Sequence, residues 1–339
     1  MKKLFNIVFI AILTALTTAC ENDPITISHG VPVKIDPSGV IAPFTYEMKT
    51  GELESFTTSY KLRVRLLAYD SEGKLAAADS SFLTNYAGIM NSTIQLPEGV
   101  YTLLTITDIV KYESGKVSLE FWHLTNVSDI NQAKVTNAGL IGGKNKVLGT
   151  TSQKITVTDS EISTINMQPK PAGALLCIYF RHIHQYSDVT EYKLLTNRNA
   201  DFMTFDSNGN FVTVPENQNN QFIWRVQYIN PKDESYSSST NIYGWNFMFP
   251  VANANYKFVY STATETDQDL VTDMIVNLAA GEEYLFELDL CNEDYNDGIT
   301  YYYGKVNGNT RSSALPATPW EQKKIADSQN VAKLKDLMN

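Results

Sequence analysis

Apolar and polar side chains alternate with a period of two along most of this chain, and this pattern restricts the fold more than any other feature. In the segment YKLRVRLLAYD, one face carries Leu62, Val64, Leu66 and Ala68. Such alternation is typical of a β-strand with one buried face. Turn residues follow at positions 70–73, and KLAAAD then returns as a second strand, so the two segments predict a hairpin. Helical periodicity is scarce before the C-terminal tail, and we therefore predict an all-β fold.

Two further segments extend the pattern through a first domain. STIQLPEGVYTLLTITDIV predicts two strands separated at Pro97 to Gly99, because proline cannot donate to a strand ladder and glycine tolerates positive φ. KVSLEFWHL predicts one more strand. The first β-sandwich domain is therefore predicted to cover residues 40–167.

A second β pattern begins after the proline-rich joint QPKPAG at residues 168–173. GALLCIYFRHI is apolar on both faces and predicts a central strand. FMTFDSNGNFVTV predicts a hairpin around Asp206 to Asn210. DMIVNLAAGEEYLFELDL predicts a second hairpin that closes this domain, so the second sandwich is predicted over residues 168–299.

The tail over residues 300–339 has a different composition. Thr318 can cap a helix, Pro319 takes its first position, and Glu321 completes a capping box. A short C-terminal helix is therefore predicted from about residue 319.

The N-terminus has the features of an export signal. Lys2 and Lys3 precede an apolar run that ends at Leu16, too short for a comfortable bilayer span of about 20 residues. The next residues, TTAC, resemble the bacterial lipobox, although Thr17 stands where Leu or Val is usual. This resemblance implies that residues 1–19 are a signal peptide and that Cys20 carries a lipid. The alternative is an ordinary signal peptide followed by an unmodified cysteine.

Residues 20–39 are predicted to be a lipidated tether. The acidic sequence ENDP directly after the cysteine resembles that of Bacteroidetes lipoproteins displayed on the outer membrane. We therefore expect a lipid-anchored, surface-exposed protein of the cell outer membrane. Without residues 1–19, 25 Lys and Arg stand against 37 Asp and Glu, a formal charge of −12. Such a charge argues against nucleic acid as a partner.

The sequence contains no familiar catalytic or cofactor motif. G-x-S-x-G, a phosphate-binding glycine loop and C-x-x-C are all missing. His182 and His184 supply only two potential metal ligands, and a zinc site needs at least three from the protein. We therefore predict no enzymatic activity, no cofactor and no metal. A disulfide between Cys177 and Cys291 stays open, because spacing alone does not determine connectivity.

Aromatic side chains are the remaining candidates for ligand binding. Tyr301, Tyr302 and Tyr303 form a run that could stack on a glycan. Large rings on strands more often fill a core, so core packing is the favoured interpretation of the other aromatic residues.

Taken together, the lipobox, the acidic tether and the strand-and-turn pattern resemble the fimbrillin and fimbrial-anchor superfamily of Bacteroidales. The segments that carry this resemblance are LRVRLLAYDSEGKL, LPEGVYTLLTITD and AAGEEYLFELDL, and it covers most of residues 40–295. It implies two tandem transthyretin-like β-sandwich domains and partners that are fimbrial shaft subunits, joined by β-strand addition.

The first arginine separates two roles within that superfamily. Shaft subunits are cut after an Arg or Lys some tens of residues into the mature chain, whereas anchor subunits keep their lipidated terminus. Here the first arginine is Arg63, inside a predicted core strand, and Lys34, Lys49 and Lys61 precede it in the mature chain. This favours a fimbrial anchor or accessory subunit. The alternative is a surface glycan-binding lipoprotein of a polysaccharide-uptake system.

Overall fold

In a computed structural model of the protein, the described residues form twenty strands. The structure describes residues 27–44, 59–138, 146–181, 189–227, 242–290, 300–306 and 323–324. In chain order the strands are β1 (Ser28–Ile35), β2 (Tyr60–Tyr69), β3 (Leu75–Leu83), β4 (Met90–Pro97), β5 (Gly99–Glu113), β6 (Lys116–Glu120), β7 (Trp122–Thr125), β8 (Lys134–Asn137), β9 (Leu148–Val157), β10 (Ile165–Met167), β11 (Lys170–Pro171), β12 (Ala174–Arg181), β13 (Val189–Phe205), β14 (Phe211–Gln227), β15 (Ile242–Met248), β16 (Val251–Thr262), β17 (Gln268–Leu278), β18 (Glu283–Asp289), β19 (Thr300–Val306) and β20 (Lys323–Lys324).

These strands assemble into four sheets. Sheet I has the order β10-β1-β4, and sheet II has the order β11-β9-β5-β2-β3, with β6 also paired to β5. Sheet III has the order β17-β16-β13-β8-β7, with β14 also paired to β13, and sheet IV has the order β15-β12-β18-β19-β20. The predicted all-β class is confirmed, and the stacked sheets are consistent with β-sandwich packing. The transthyretin-like topology stays a prediction.

Local pairing agrees with the sequence in several places. β2 and β3 form the predicted antiparallel hairpin, and the four alternating apolar residues of β2 are fully buried. β13 and β14 form the predicted hairpin around Asp206 to Asn210. β12 lies between β15 and β18, as expected for a central strand.

The two faces of β12 contact different core clusters. Ala174, Leu176 and Ile178 belong to a cluster within the C-terminal half of the chain. Leu175 and Cys177 belong to a larger cluster that also contains the apolar residues of β1 and β2. Both faces of β12 are apolar because each face is buried in a different core cluster.

Each half of the chain also contributes a hairpin to the other half. β8 pairs with β13 through Val135 and Met203, so the β7–β8 hairpin extends sheet III. In the opposite direction, Gly209 at the β13–β14 turn lies so close to sheet II that an added Cβ would stand 2.7 Å from the Ser152 Cβ. Its φ of +76° also favours glycine there. The boundary between residues 167 and 168 stays a prediction.

Two predictions of strand pairing are wrong. The segment KVSLEFWHL forms two strands, because the chain leaves sheet II at Phe121 and enters sheet III as β7. β17 and β18 do not pair with each other; β17 joins sheet III and β18 joins sheet IV, so both can face the core between these sheets. Tyr284 stabilises this crossing, because its hydroxyl donates to the Asn277 carbonyl at 2.6 Å and accepts from the Ala279 amide at 3.1 Å.

The predicted tether over residues 20–39 also needs correction, because the chain is already in a sheet from Ser28 onward. Most of the predicted C-terminal helix lies outside the described residues. Its two described residues, Lys323 and Lys324, form the short strand β20 beside β19, so the helix prediction is wrong at these positions.

Candidate assembly surface

Along the sequence, β1 is the first described element after Cys20, the predicted lipid site. Cys20 itself lies outside the described residues. Val31, Val33 and Ile35 point into the first core cluster and are almost completely buried. Sequence reasoning missed this strand, although the alternation in GVPVKI was a visible signal. β1 is therefore part of the folded domain and not of a flexible connection.

Hydrogen-bonded neighbours hold β1 on both sides. Antiparallel pairing with β4 covers all eight residues, from Ser28 opposite Pro97 to Ile35 opposite Met90. Parallel pairing with β10 covers only the last three residues, beginning with Val33 opposite Ile165. Removal of β1 would leave β4 and β10 without their shared neighbour.

The first arginine of the chain lies in a buried ionic network on sheet II. The Arg63 guanidinium donates to both carboxylate oxygens of Asp108, at 2.9 and 2.6 Å, and to Glu120 at 2.8 Å. Arg65 donates to the same Asp108 carboxylate at 3.2 Å. Asp108 is 0% exposed, so one buried carboxylate serves two arginines.

Burial and ion pairing have opposite effects on the pKa values of the two arginines. Burial disfavours the charged form of Arg63, but its hydrogen bonds and charge interactions with Asp108 and Glu120 outweigh that effect and raise its pKa. For Arg65, burial dominates and lowers the pKa despite the nearby Asp108 charge. Arg63 is thus held in its charged form inside strand β2, and its predicted place in a core strand is confirmed. A protease cannot reach Arg63 without opening the sheet.

The tyrosine run lies on β19, but its three rings do not share one face. Tyr301 and Tyr303 pack against the cluster of the C-terminal half, with ring centroids 6.3 Å apart and planes inclined by 9°. Tyr302 packs against the other cluster. Alternation along a strand therefore limits a shared platform to two rings, and the ligand role of the run stays a prediction.

A buried carboxylate also lies on β18. Glu287 is 1% exposed, and burial raises its pKa to about 7 although Arg181 lies 2.7 Å away and lowers it. The strand neighbours of Glu287 are Tyr179 on β12 and Tyr302 on β19. This arrangement couples the stability of sheet IV to pH.

The described ranges hold neither a metal-binding group nor a membrane-spanning helix. In those ranges, no three His, Cys, Asp or Glu side chains come together as a metal-binding group. The same part of the chain contains no helix of the length and hydrophobicity that crossing a membrane requires. Cys177 is fully buried, whereas His182, His184 and Cys291 lie outside the described residues.

Comparison with known proteins gives structural neighbours but no match in sequence. No family model matches the chain, and no curated protein matches it. A "putative adhesin" from Bacteroides ovatus superposes with a TM-score of 0.50 and 11% identity, over 88% of this chain and 97% of the other. The fimbrial anchor protein Mfa2 from Porphyromonas gingivalis superposes with a TM-score of 0.47 and 9% identity, over 81% and 97% of the two chains.

The tip fimbrial protein Mfa3 from Porphyromonas gingivalis has a TM-score of 0.38 and 11% identity, with 82% and 99% coverage. These three neighbours are a putative adhesin and two fimbrial proteins, in agreement with the family that the sequence resembles. At 11% identity, the likeness to the B. ovatus protein shows a shared fold.

Proposed function

We propose that the protein is an outer-membrane lipoprotein that acts as a fimbrial anchor or accessory subunit and joins shaft subunits by β-strand addition. The observation that carries this proposal is the pairing and burial of β1. This strand precedes the first arginine, pairs with β4 along its whole length and with β10 over its last three residues, and fills the core with Val31, Val33 and Ile35. Because Arg63 is itself buried, cleavage after the first arginine would require partial unfolding of sheet II.

The position of β1 also fits attachment at the membrane. Eight residue steps separate Cys20 from Ser28, so an extended connection would reach at most about 28 Å. A lipid on Cys20 would then hold the folded domain close to the outer membrane, since several acyl chains on one terminus give stable anchoring. The sheets would face the first shaft subunit and not the periplasm, if the chain is displayed on the cell surface.

Strand addition suits this role because every added backbone hydrogen bond is made without a specific side chain. An anchor needs a strong, permanent contact with a repeating partner. It does not need a catalytic site, and we propose no enzymatic activity.

The proposal is tested in the native host by deleting the gene and measuring fimbrial attachment and length. We expect fimbriae in the culture medium after deletion, attachment after return of the wild-type gene, and no attachment with Cys20→Ser. Metabolic labelling with palmitate should mark the wild-type protein and not Cys20→Ser. Fimbriae of unchanged length and attachment in the deletion strain would refute the anchor role, and this is the result expected for the alternative glycan-binding lipoprotein.

A further inference from the structure

Among the described residues, the first part of β1 has a strand neighbour on one side only. β4 pairs with the whole strand, whereas β10 begins pairing at Val33. Residues 28–32 therefore have an edge on the β10 side that no described strand pairs. The chain opposite this edge, residues 158–164, is irregular before it becomes β10.

Backbone direction shows which groups point toward the unpaired edge. The Asp36 amide donates to the Met167 carbonyl on the β10 side at 3.0 Å. Because the main-chain groups of a strand alternate in direction, Pro32, Gly30 and Ser28 point to that same side. Gly30 and Ser28 can therefore offer N–H and C=O groups there. Proline at position 32 agrees with this geometry, since it lacks an N–H and is confined to edges where no ladder bond is needed.

An open groove lies along this edge. Its volume is about 580 Å³, and β1 forms one wall with Ser28, His29, Gly30 and Pro32. The opposite wall is formed by residues 159–162. These four residues of β1 lie within positions 28–32, which correspond to about 17 Å of extended chain. The groove thus combines free backbone groups with space for one more strand.

The charge of the groove indicates the chemistry of its occupant. Among the described residues that line it, Asp159 and Glu161 carry the negative charges, and no Lys or Arg is present. Both carboxylate residues are exposed. A third carboxylate, on Glu98, lies 3.8 Å from the His29 Nε2 atom at the same end of β1. An added strand with cations on alternate residues would face an acidic wall.

We infer that the edge of β1 at Ser28–Pro32 accepts a strand from a partner subunit, and that this strand carries Lys or Arg at alternate positions. This inference rests on the proposed function and specifies its binding edge. The lipid predicted on Cys20 is only eight residue steps from Ser28, so the partner strand would bind near the membrane. Main-chain hydrogen bonds would supply affinity, and the acidic wall would select the basic partner.

The test uses the full chain in detergent and synthetic peptides with a fluorescent label. The first peptide has seven residues in which Lys and Thr alternate. The second has Glu in place of Lys, and the third is the first peptide with every amide N-methylated. We expect fluorescence anisotropy to show binding of the first peptide alone. Equal binding of the N-methylated peptide would overturn the inference, because that peptide cannot form a ladder.

Matched variants locate the site. Glu161→Lys should weaken binding by about tenfold, since it replaces an attraction by a repulsion of similar size. Glu72→Lys, at an exposed turn far along the chain, makes the same charge change and should leave affinity within about twofold. Equal losses in the two variants would show general charge attraction and would overturn the inference.

Backbone variants and amide exchange test the ladder itself. Ser28→Pro removes one donor from the groove edge and should weaken binding, whereas Ser28→Ala should not. The Gly30 amide should exchange with solvent rapidly in the free chain and slowly with the Lys–Thr peptide bound. A Gly30 amide that is already protected in the free chain would show that the chain itself fills the groove, and this would overturn the inference.

The experiments distinguish a wrong assignment of the strand-binding groove from a wrong assignment of the anchor role. Released fimbriae in the deletion strain, together with no peptide binding, would refute the groove and leave the anchor role intact. Attached fimbriae, together with peptide binding that Glu161→Lys abolishes, would refute the anchor role and leave the groove as a strand-binding site.

Discussion

Replacement of Asp108 by asparagine should destabilise the protein far more than the loss of an ordinary surface charge. Asp108 is fully buried and is the carboxylate that both Arg63 and Arg65 contact, at 2.6 to 3.2 Å. Asparagine has a similar size, but it lacks the negative charge and presents an amide donor to the guanidinium groups. Two buried cations would then lose their shared counter-charge.

The expected cost follows from this geometry. Removing one partner of a buried ion pair costs about 3–5 kcal/mol, because the remaining charge is left uncompensated. Arg63 keeps its contact with Glu120, whose side chain is 31% exposed, so part of its charge stays balanced. We therefore expect Asp108→Asn to lower the free energy of unfolding by about 3 kcal/mol, a large part of a typical total of about 5–15 kcal/mol.

Urea denaturation measures this cost directly, and Glu120→Gln is the matched control. Both variants remove one carboxylate from the same network, but Glu120 is partly solvated and should cost less than about 1 kcal/mol. Limited proteolysis with an arginine-specific protease should cut Asp108→Asn at Arg63 and leave the wild type intact there. A loss below about 1 kcal/mol for Asp108→Asn, or equal losses in both variants, would refute this explanation of the network.

Three further predictions concern burial, close packing and the contact between the halves. Burial raises the pKa of Glu287 from 4.5 to about 7, so the folded chain binds this proton more tightly and stability should fall as pH rises through that interval. Glu287→Gln should remove this slope and raise stability by about 3 kcal/mol at pH 8, and an unchanged slope would contradict the assignment. Gly149→Ala should lower the free energy of unfolding by about 1–3 kcal/mol, because the new Cβ would lie 2.3 Å from the Val40 Cγ2 atom. Val40→Ala in the same chain should recover part of this loss, and simple addition of the two single-variant losses would contradict the contact. Val135→Ala, in the hairpin that joins sheet III, should lower the free energy of unfolding by about 2 kcal/mol. Fluorescence and circular dichroism should show a single unfolding transition, whereas two separate transitions would show that the halves unfold independently.

Sequence reasoning was most successful where structure depends on near neighbours. The alternation in β2 predicted which of its residues are buried, and the turn residues predicted the β2–β3 and β13–β14 hairpins. The same signal in GVPVKI would have revealed β1. The residues of the buried ionic network gave no such signal, since Asp108 is 45 positions away from Arg63.

The sequence by itself determined the all-β class and the positions of most strands, because each depends on a few consecutive residues, whereas lipidation at Cys20 stays a prediction. Only the tertiary structure decided which sheet each strand joins. β17 and β18 read as a hairpin, yet they enter different sheets because both must bury an apolar face in the core between them. The open edge of β1 likewise depends on where β10 begins, more than a hundred residues later. Strands so far apart in sequence cannot be paired from the local pattern of either one.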